Sequence, residues 1–362
     1  MIRLLFSITL LVHGLIHLMG FAKAYHYGNM TQLTKDISKP YGLLWLLTAF
    51  LFIAVTLLFL FKNDKWWMLG IVAALVSQIL IFTVWNDAKF GTIANVVILI
   101  VAFLAFTSWV FENSYRADVR AGLERTNKME SPLLTEIDLA HLPAPVQKYL
   151  RYVGVVNKPK IKNVKIVFEG EMREKGKDYF LFTSKQYNFF DEPTRLFFMK
   201  AHMLGVPVLG YHAYKNGEAA MKIKLFGIYP IVDLNGTILN KAETVTVFND
   251  MCLMAPASLI DARITWEAID SNSAKAHFTN HDIIITATLF FNEIGQLNNF
   301  ISDDRTSTAD MKTYRFSTPL KDYKYINGYH IGTYGEAIWH YPDGNFTYGK
   351  FYLKDLMYNV SE

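Results

Sequence analysis

Hydrophobic positions follow two different patterns along this chain. From Leu4 to Phe111 they run on in four long stretches, approximately Leu4 to Ala22, Tyr41 to Phe61, Trp66 to Trp85 and Phe90 to Phe111, and nearly every charge falls between them. A helix needs roughly 20 apolar residues to cross about 30 Å of hydrocarbon, so each stretch predicts one transmembrane helix. The short connections make neighbours antiparallel and predict a four-helix domain over residues 1–111. Trp66, Trp67, Trp85 and Trp109 stand near the ends of the stretches, where indole rings suit the headgroup layer. The first stretch has no small-residue cleavage site before Lys23 and reads as a retained helix rather than a signal peptide.

Beyond Phe111 charges recur every few residues. Glu112, Arg116, Asp118, Arg120, Glu124, Arg125 and Lys128 read as a solvated helical connector over residues 112–141, interrupted at Ser131-Pro132. A soluble domain is expected over residues 142–362, opening with a short amphipathic helix that carries Val146, Tyr149, Leu150 and Val153 behind Pro145. The period then falls to two. Val164, Ile166, Phe168, Gly170 and Met172 alternate with more polar positions, which predicts a half-buried strand.

Further strands are expected at Ile264 to Ile269, Ala274 to Thr279, Ile283 to Phe291 and Leu297 to Ser302. A last hairpin pairs Glu336 to Tyr341 with Phe346 to Met357 around Pro342-Asp343-Gly344. Leu253 to Asp261 reads as a short helix between the two strand regions. The predicted fold is therefore a membrane all-α four-helix bundle followed by an α+β soluble domain, a curved antiparallel sheet or half-barrel with a few short helices.

Composition narrows the partners. The 362 residues carry a net charge of only +4 with no basic stripe, so nucleic acid is not expected as a partner. Aromatic residues make up 15% of the chain, many of them in the strands, and a curved sheet with few helices to cover it predicts an apolar concavity. Phe197 to Leu209 and Met221 to Ile231, around Gly205, Pro207, Gly227 and Pro230, are expected to line its mouth. Membrane lipids and an apolar small molecule are the expected partners. Basic residues beside the spans decide orientation by a narrow margin: Arg3, Lys62, Lys65, Arg116 and Arg120 stand against Lys23, Lys35, Lys39 and Lys89. The first set is cytoplasmic if the N-terminus is inside, which places the soluble domain on the cytoplasmic side of an inner membrane.

Candidate chemistry is sparse. His13 and His17 share one face of the first helix, with Gln78 and Asn95 as expected partners in the third and fourth. The pair reads either as a cofactor or proton site or as a hydrogen-bonded packing contact between helices. No cofactor and no metal site is expected, because two histidines leave a ligand shell incomplete. In the soluble domain Glu243 with Thr244, Asn249 with Asp250, and Asp303-Asp304-Arg305 form polar clusters. Carboxylates beside an arginine suit acid and base work, or a turn held by an ion pair. His202, His212, His281, His330 and His340 lack ligand spacing, and Cys252 among Met251, Leu253 and Met254 reads as a buried hydrophobe. No GxSxG, P-loop or HExxH motif is present, which favours a binding role over a catalytic one.

The runs HGLIHLMGFAKAY (13–25), SQILIFTVWNDAKFGTIAN (77–95), LPAPVQKYLRYVG (142–154), AETVTVFNDMCLMAPASLID (242–261) and FISDDR (300–305) carry a resemblance. The chain resembles a family of uncharacterised bacterial four-helix membrane proteins with a C-terminal soluble domain of unknown function. Its closing segment, residues 328–359, is similar in style to curved-sheet lipoprotein carriers. Three roles follow as expectations: a membrane-anchored binding module for a lipid or other apolar ligand, a membrane enzyme or redox component using the histidine pair, and a structural or assembly factor without a ligand.

Overall fold

The computed structural model describes residues 2–203 and 205–361. The chain folds as two compact units, one comprising the residues through Phe111 with Phe226–Ile228, the other Glu112–Leu225 with the residues from Tyr229 onward.

The first unit is helical. It contains α1 (Ile2–Ile16), α2 (Leu18–Ala24), α3 (Lys39–Leu60), α4 (Trp66–Thr83), the short α5 (Trp85–Ala88) and the first part of α6 (Gly91–Asn127). Four stretches, with α1 and α2 counted together, are long and apolar enough to cross a membrane. Small residues set the helix spacing: a Cβ on Gly20 would lie 2.1 Å from the Trp45 ring, and one on Gly14 would lie 2.7 Å from the Phe52 Cβ. Leu10, Phe52, Val55, Ala73 and Ile98 fill the interior, while Leu5, Leu47, Leu75 and Ile100 leave the outer surface apolar.

The second unit is built on one curved antiparallel sheet. Its first six strands are β1 (Asn163–Met172), β2 (Phe180–Phe189), β3 (Thr194–Met203), β4 (Val206–Lys215), β5 (Glu218–Leu225) and β6 (Tyr229–Asn235). After an intervening helix come β7 (Ile264–Asp270), β8 (Ser273–Asn280), β9 (Ile283–Phe291), β10 (Leu297–Thr306), β11 (Thr313–Ser317), β12 (Leu320–Ile326), β13 (Tyr329–Tyr341) and β14 (Gly344–Tyr358). The spatial order is β6-β5-β4-β3-β2-β1-β14-β13-β11-β10-β9-β8-β7, with β12 paired to β13 outside that path. Two meanders are thus joined where the last strand returns to the first, Val164 opposite Tyr358. The short helices α7 (Glu136–Leu139) and α8 (Ala144–Val153) precede β1. Val146, Tyr149, Leu150 and Val153 of α8 are buried in the core as their spacing predicts.

Two segments differ from expectation. The helix between the meanders is far longer than Leu253 to Asp261: α9 covers Thr237–Met254, and only Pro256–Ile260 forms a separate 3₁₀ turn. Twelve of its residues are buried and they fall on all sides, so no amphipathic stripe marks it. Phe248 stacks on Phe278 at 5.2 Å and touches Phe300, while the Tyr149 and Tyr358 hydroxyls donate to the carbonyls of Cys252 and Met254.

The reading of a solvated connector is also corrected. Glu112 to Asn127 continue α6 and bury Tyr115, Val119 and Leu123. Tyr115 stacks on Phe198 at 5.2 Å, Asp118 accepts from the Tyr211 hydroxyl at 2.6 Å, and Arg125 grips Asp191 through two nitrogens. Gly122 permits this approach, since a Cβ there would lie 2.4 Å from the Phe189 ring.

Candidate functional site

Alternation along β3 sends Arg195, Phe197 and Met199 to one face of the sheet and Phe198 to the other, against Tyr115. On the inner face, between the strands and α9, lies a cavity of about 700 Å³. That size suits a small-molecule site, which typically spans about 300–1,000 Å³. Phe168 and Met172 of β1, Phe180 of β2, Met221 and Ile223 of β5, and Leu253 and Met254 of α9 give it largely apolar walls. Phe316, Trp339, Phe346 and Tyr348 complete the wall at β11, β13 and β14. Of the segments expected at a pocket mouth, Phe197, Met199, Met221 and Ile223 do face the cavity, whereas Gly205, Pro207, Gly227 and Pro230 are not among its lining.

One side of the cavity is polar, and α9 explains why. Glu243 and Asp250 stand two helical turns apart on the helix, and Arg195 of β3 bridges them, Nε to Asp250 at 2.8 Å and Nη1 to Glu243 at 3.3 Å. Asp250 also accepts from Gln186 Nε2 at 2.7 Å and Asn188 Nδ2 at 3.1 Å. Burial alone would lower the Arg195 pKa, but the two carboxylates raise it above its ordinary value, so the guanidinium stays charged. Asn249 donates to Thr318 Oγ1 at 2.6 Å. Thr244 shares a hydrogen bond of 2.7 Å with the Tyr214 hydroxyl. His212 of β4 also lines the cavity. Burial pushes its pKa down to about 4, against the pull of Glu243 and with the help of Arg195 and Arg305, so it is neutral near pH 7.

The cluster Asp303-Asp304-Arg305 is not a turn and its members do not pair with one another. It lies on β10, at an irregularity in the pairing with β11, and adjacent side chains serve different partners. Asp303 binds exposed Arg315, Asp304 binds Lys241 and the Thr286 N–H, and Arg305 reaches the cavity. Cys252 is wholly buried, and burial raises its thiol pKa well above the ordinary value, so it packs as a hydrophobe.

Arg195, Gln186 and Asn188 escape the sequence reading, although two signals were present, and His212 figures there only as a histidine without ligand spacing. Ser184, Gln186 and Asn188 recur with period two on a strand whose inner face is buried, and Arg195 opens the otherwise apolar run Leu196 to Met199. A polar residue on a buried strand face demands a partner. What no local pattern shows is that the partner is α9.

The second cluster lies in the helical unit. His17 Nδ1 is 2.8 Å from the His13 carbonyl and therefore carries the proton, which leaves Nε2 to accept from the Ser77 hydroxyl at 2.9 Å. His13 Nε2 donates to Asn95 Oδ1 at 2.9 Å. Asn95 Nδ2 donates to Ser77 Oγ and Gln78 Oε1. Of the two expected partners Asn95 meets His13 directly, whereas Gln78 touches neither histidine and bonds Asn95 and Thr92; Ser77 lies within hydrogen-bond distance of both histidines. Among the described residues no group of three or more His, Cys, Asp or Glu is placed to hold a metal ion.

Residues 132–351 match a family model described as a family of unknown function (DUF6544). The match lies in the sheet unit and leaves the apolar helices outside it. No curated protein matches the chain. Among solved structures it is similar to a crystal structure of a LolA superfamily protein from Nitrosomonas europaea, at 7% identity and a TM-score of 0.33, covering 59% of this chain and 90% of the other.

Proposed function

Because the chain belongs to DUF6544, a family whose function is unknown, we propose a role from the cavity itself: the protein is a membrane-anchored binding module that holds a lipid or other apolar small molecule between α9 and the inner face of its sheet. The observation that carries this reading is a cavity of about 700 Å³ with mostly apolar walls and a fixed polar side. A filled core would have closed over such a space, because burying apolar surface yields about 25 cal/mol per Å² and native interiors leave few voids larger than a water. The four apolar stretches supply the anchor. We place them in the inner membrane with the sheet unit on the cytoplasmic side, following the basic residues next to the spans.

Thr246 lies on α9 at the cavity wall, so Thr246→Trp fills the space from a helix that stays intact. Native mass spectrometry of the gently solubilised protein should find a co-purified apolar molecule on the wild type and none on this variant at an unchanged melting temperature. A wild type that emerges empty and binds no added fatty alcohol would refute the role. Orientation is tested separately at Ser361→Cys: the native Cys252 is buried and gives no background. A membrane-impermeant thiol reagent should label the new cysteine only after cells are lysed.

A further inference from the structure

Arg173, Lys175, Arg195 and Arg305 all line the cavity, and they are not equivalent. Arg195 is held by Glu243 and Asp250, and Lys175 is paired with Asp343 at 2.5 Å. Arg305 has no carboxylate at ion-pair distance among the described residues. Its guanidinium carbon lies 3.9 Å from the centroid of Phe316 and 5.1 Å from that of Trp339, and Nη1 donates to the Tyr348 hydroxyl at 2.9 Å. A guanidinium has five N–H donors, and this bond uses one of them. Arg173, directly after β1, is in the same condition beside the start of β14: it stacks on Tyr179 at 4.4 Å and near Phe346 at 5.1 Å, and Nε donates to the Thr347 carbonyl.

Aromatic faces stabilise a cation but leave its N–H edge open. Rings on one side and the Tyr348 hydroxyl on another hold the Arg305 plane in a fixed orientation, as a bidentate anion site requires. Acidic groups reach the cavity too. Glu243 and Asp250, however, are engaged by Arg195, Glu174 is paired with Lys177, and Glu336 accepts from the Tyr334 hydroxyl at 2.8 Å. The same cavity continues into walls of Met199, Met221 and Leu253, which offer a chain no polar partner.

We propose that the cavity takes an anionic amphiphile, its carboxylate or phosphate held by Arg305 at the aromatic wall and its hydrocarbon chain laid along Met199, Met221 and Leu253. This rests on the binding role proposed above and names the ligand class for that site. Arg173 adds long-range attraction at the same wall.

The test uses the full-length protein in phosphatidylcholine nanodiscs and four probes: a diazirine-bearing hexadecanoic acid, the matched hexadecyl phosphate, the matched alcohol and inorganic phosphate. Cross-linking is followed by mass spectrometry of the peptides that contain Met199, Met221 and Leu253. At least one anionic probe should half-saturate these peptides at a concentration about tenfold or more below that of the alcohol, the scale of a charge-assisted hydrogen-bond pair. The better of the two anionic probes identifies the head group as carboxylate or phosphate. Arg305→Gln should remove the difference between the anionic probes and the alcohol, and Arg305→Lys should retain part of it.

Equal half-saturation by acid, phosphate and alcohol on the wild type overturns the inference and leaves apolar binding standing. Displacement of every probe by inorganic phosphate alone overturns it in favour of a free-anion site. Absence of labelling at any cavity peptide overturns both readings. The wild-type comparison decides even if the Gln variant fails to fold.

Discussion

The buried network around Arg195 shows how single side chains set both stability and site chemistry. Asp250 accepts from Arg195, Gln186 and Asn188, so Asp250→Ala takes one of two counterions from a buried guanidinium, leaving it Glu243 alone, and removes an acceptor from two amides. Removing one member of a buried ion pair costs on the order of 3–5 kcal/mol, and we predict a loss of that size in urea unfolding of the sheet unit. His212 gives a pH signature. Its folded pKa of about 4 lies below the unfolded value near 6.5, so the unfolded chain binds the extra proton between them. The stability linked to this residue is complete above about pH 6.5 and is lost as pH falls toward about 4. His212→Asn should flatten that part of the stability profile in unfolding measured at a series of pH values, whereas an unchanged slope would assign it to other groups. Arg195 was missed in the sequence and His212 was read only as a histidine without ligand spacing, for one reason: a polar side chain on a strand reveals its inward direction but not its partner.

At the scale of elements, α9 and the first helix carry opposite lessons. The run Thr244-Val245-Thr246-Val247 is β-branched and alternates like a strand, yet it lies inside α9 because the concave sheet surrounds the helix and buries it on all sides. Local preference of a few tenths of a kcal/mol per residue yields to such burial. Phe248→Ala should therefore cost about 3–5 kcal/mol, since it empties the stack with Phe278 and Phe300. Chemical denaturation of the purified protein measures this. In the helical unit, Gly20 faces the Trp45 ring with no room for a side chain, so Gly20→Leu should force α2 from α3 and lower the detergent-solubilised yield and melting temperature. Ser77→Ala removes the hydroxyl shared by His17 and Asn95, and it should cost roughly 1 kcal/mol if the cluster serves packing alone. Loss of a bound metal or haem in that variant, at an unchanged melting temperature, would instead favour the redox reading.

For the whole molecule, the decisive feature is where the sheet unit begins. Glu112 to Asn127 belong to that unit, and their side chains cover Phe198, Tyr211 and Phe189, three rings that are nearly inaccessible in the fold. A soluble fragment starting at Glu112 should melt cooperatively, whereas one starting at Ser131 uncovers those rings and should aggregate or melt lower. Calorimetry and light scattering on the two fragments decide this, and equal behaviour would mean that the helical segment is dispensable.

The apolar stretches, the antiparallel meander Ile264 to Ser302, the last hairpin and α8 are all determined by local pattern, because membrane length, period two, turn residues and period 3.6 are written in neighbouring residues. The role of the 112–127 segment, the helical state of Thr237–Met254, and the meeting of Arg195 with Glu243 and Asp250 were decided only by tertiary structure. Each depends on contacts between segments tens of residues apart, where burial outweighs local propensity and a charge finds its counterion across the sheet. The cavity belongs to the same class. Its apolar residues are visible along the chain, but the space between them exists only once the sheet has curved around α9.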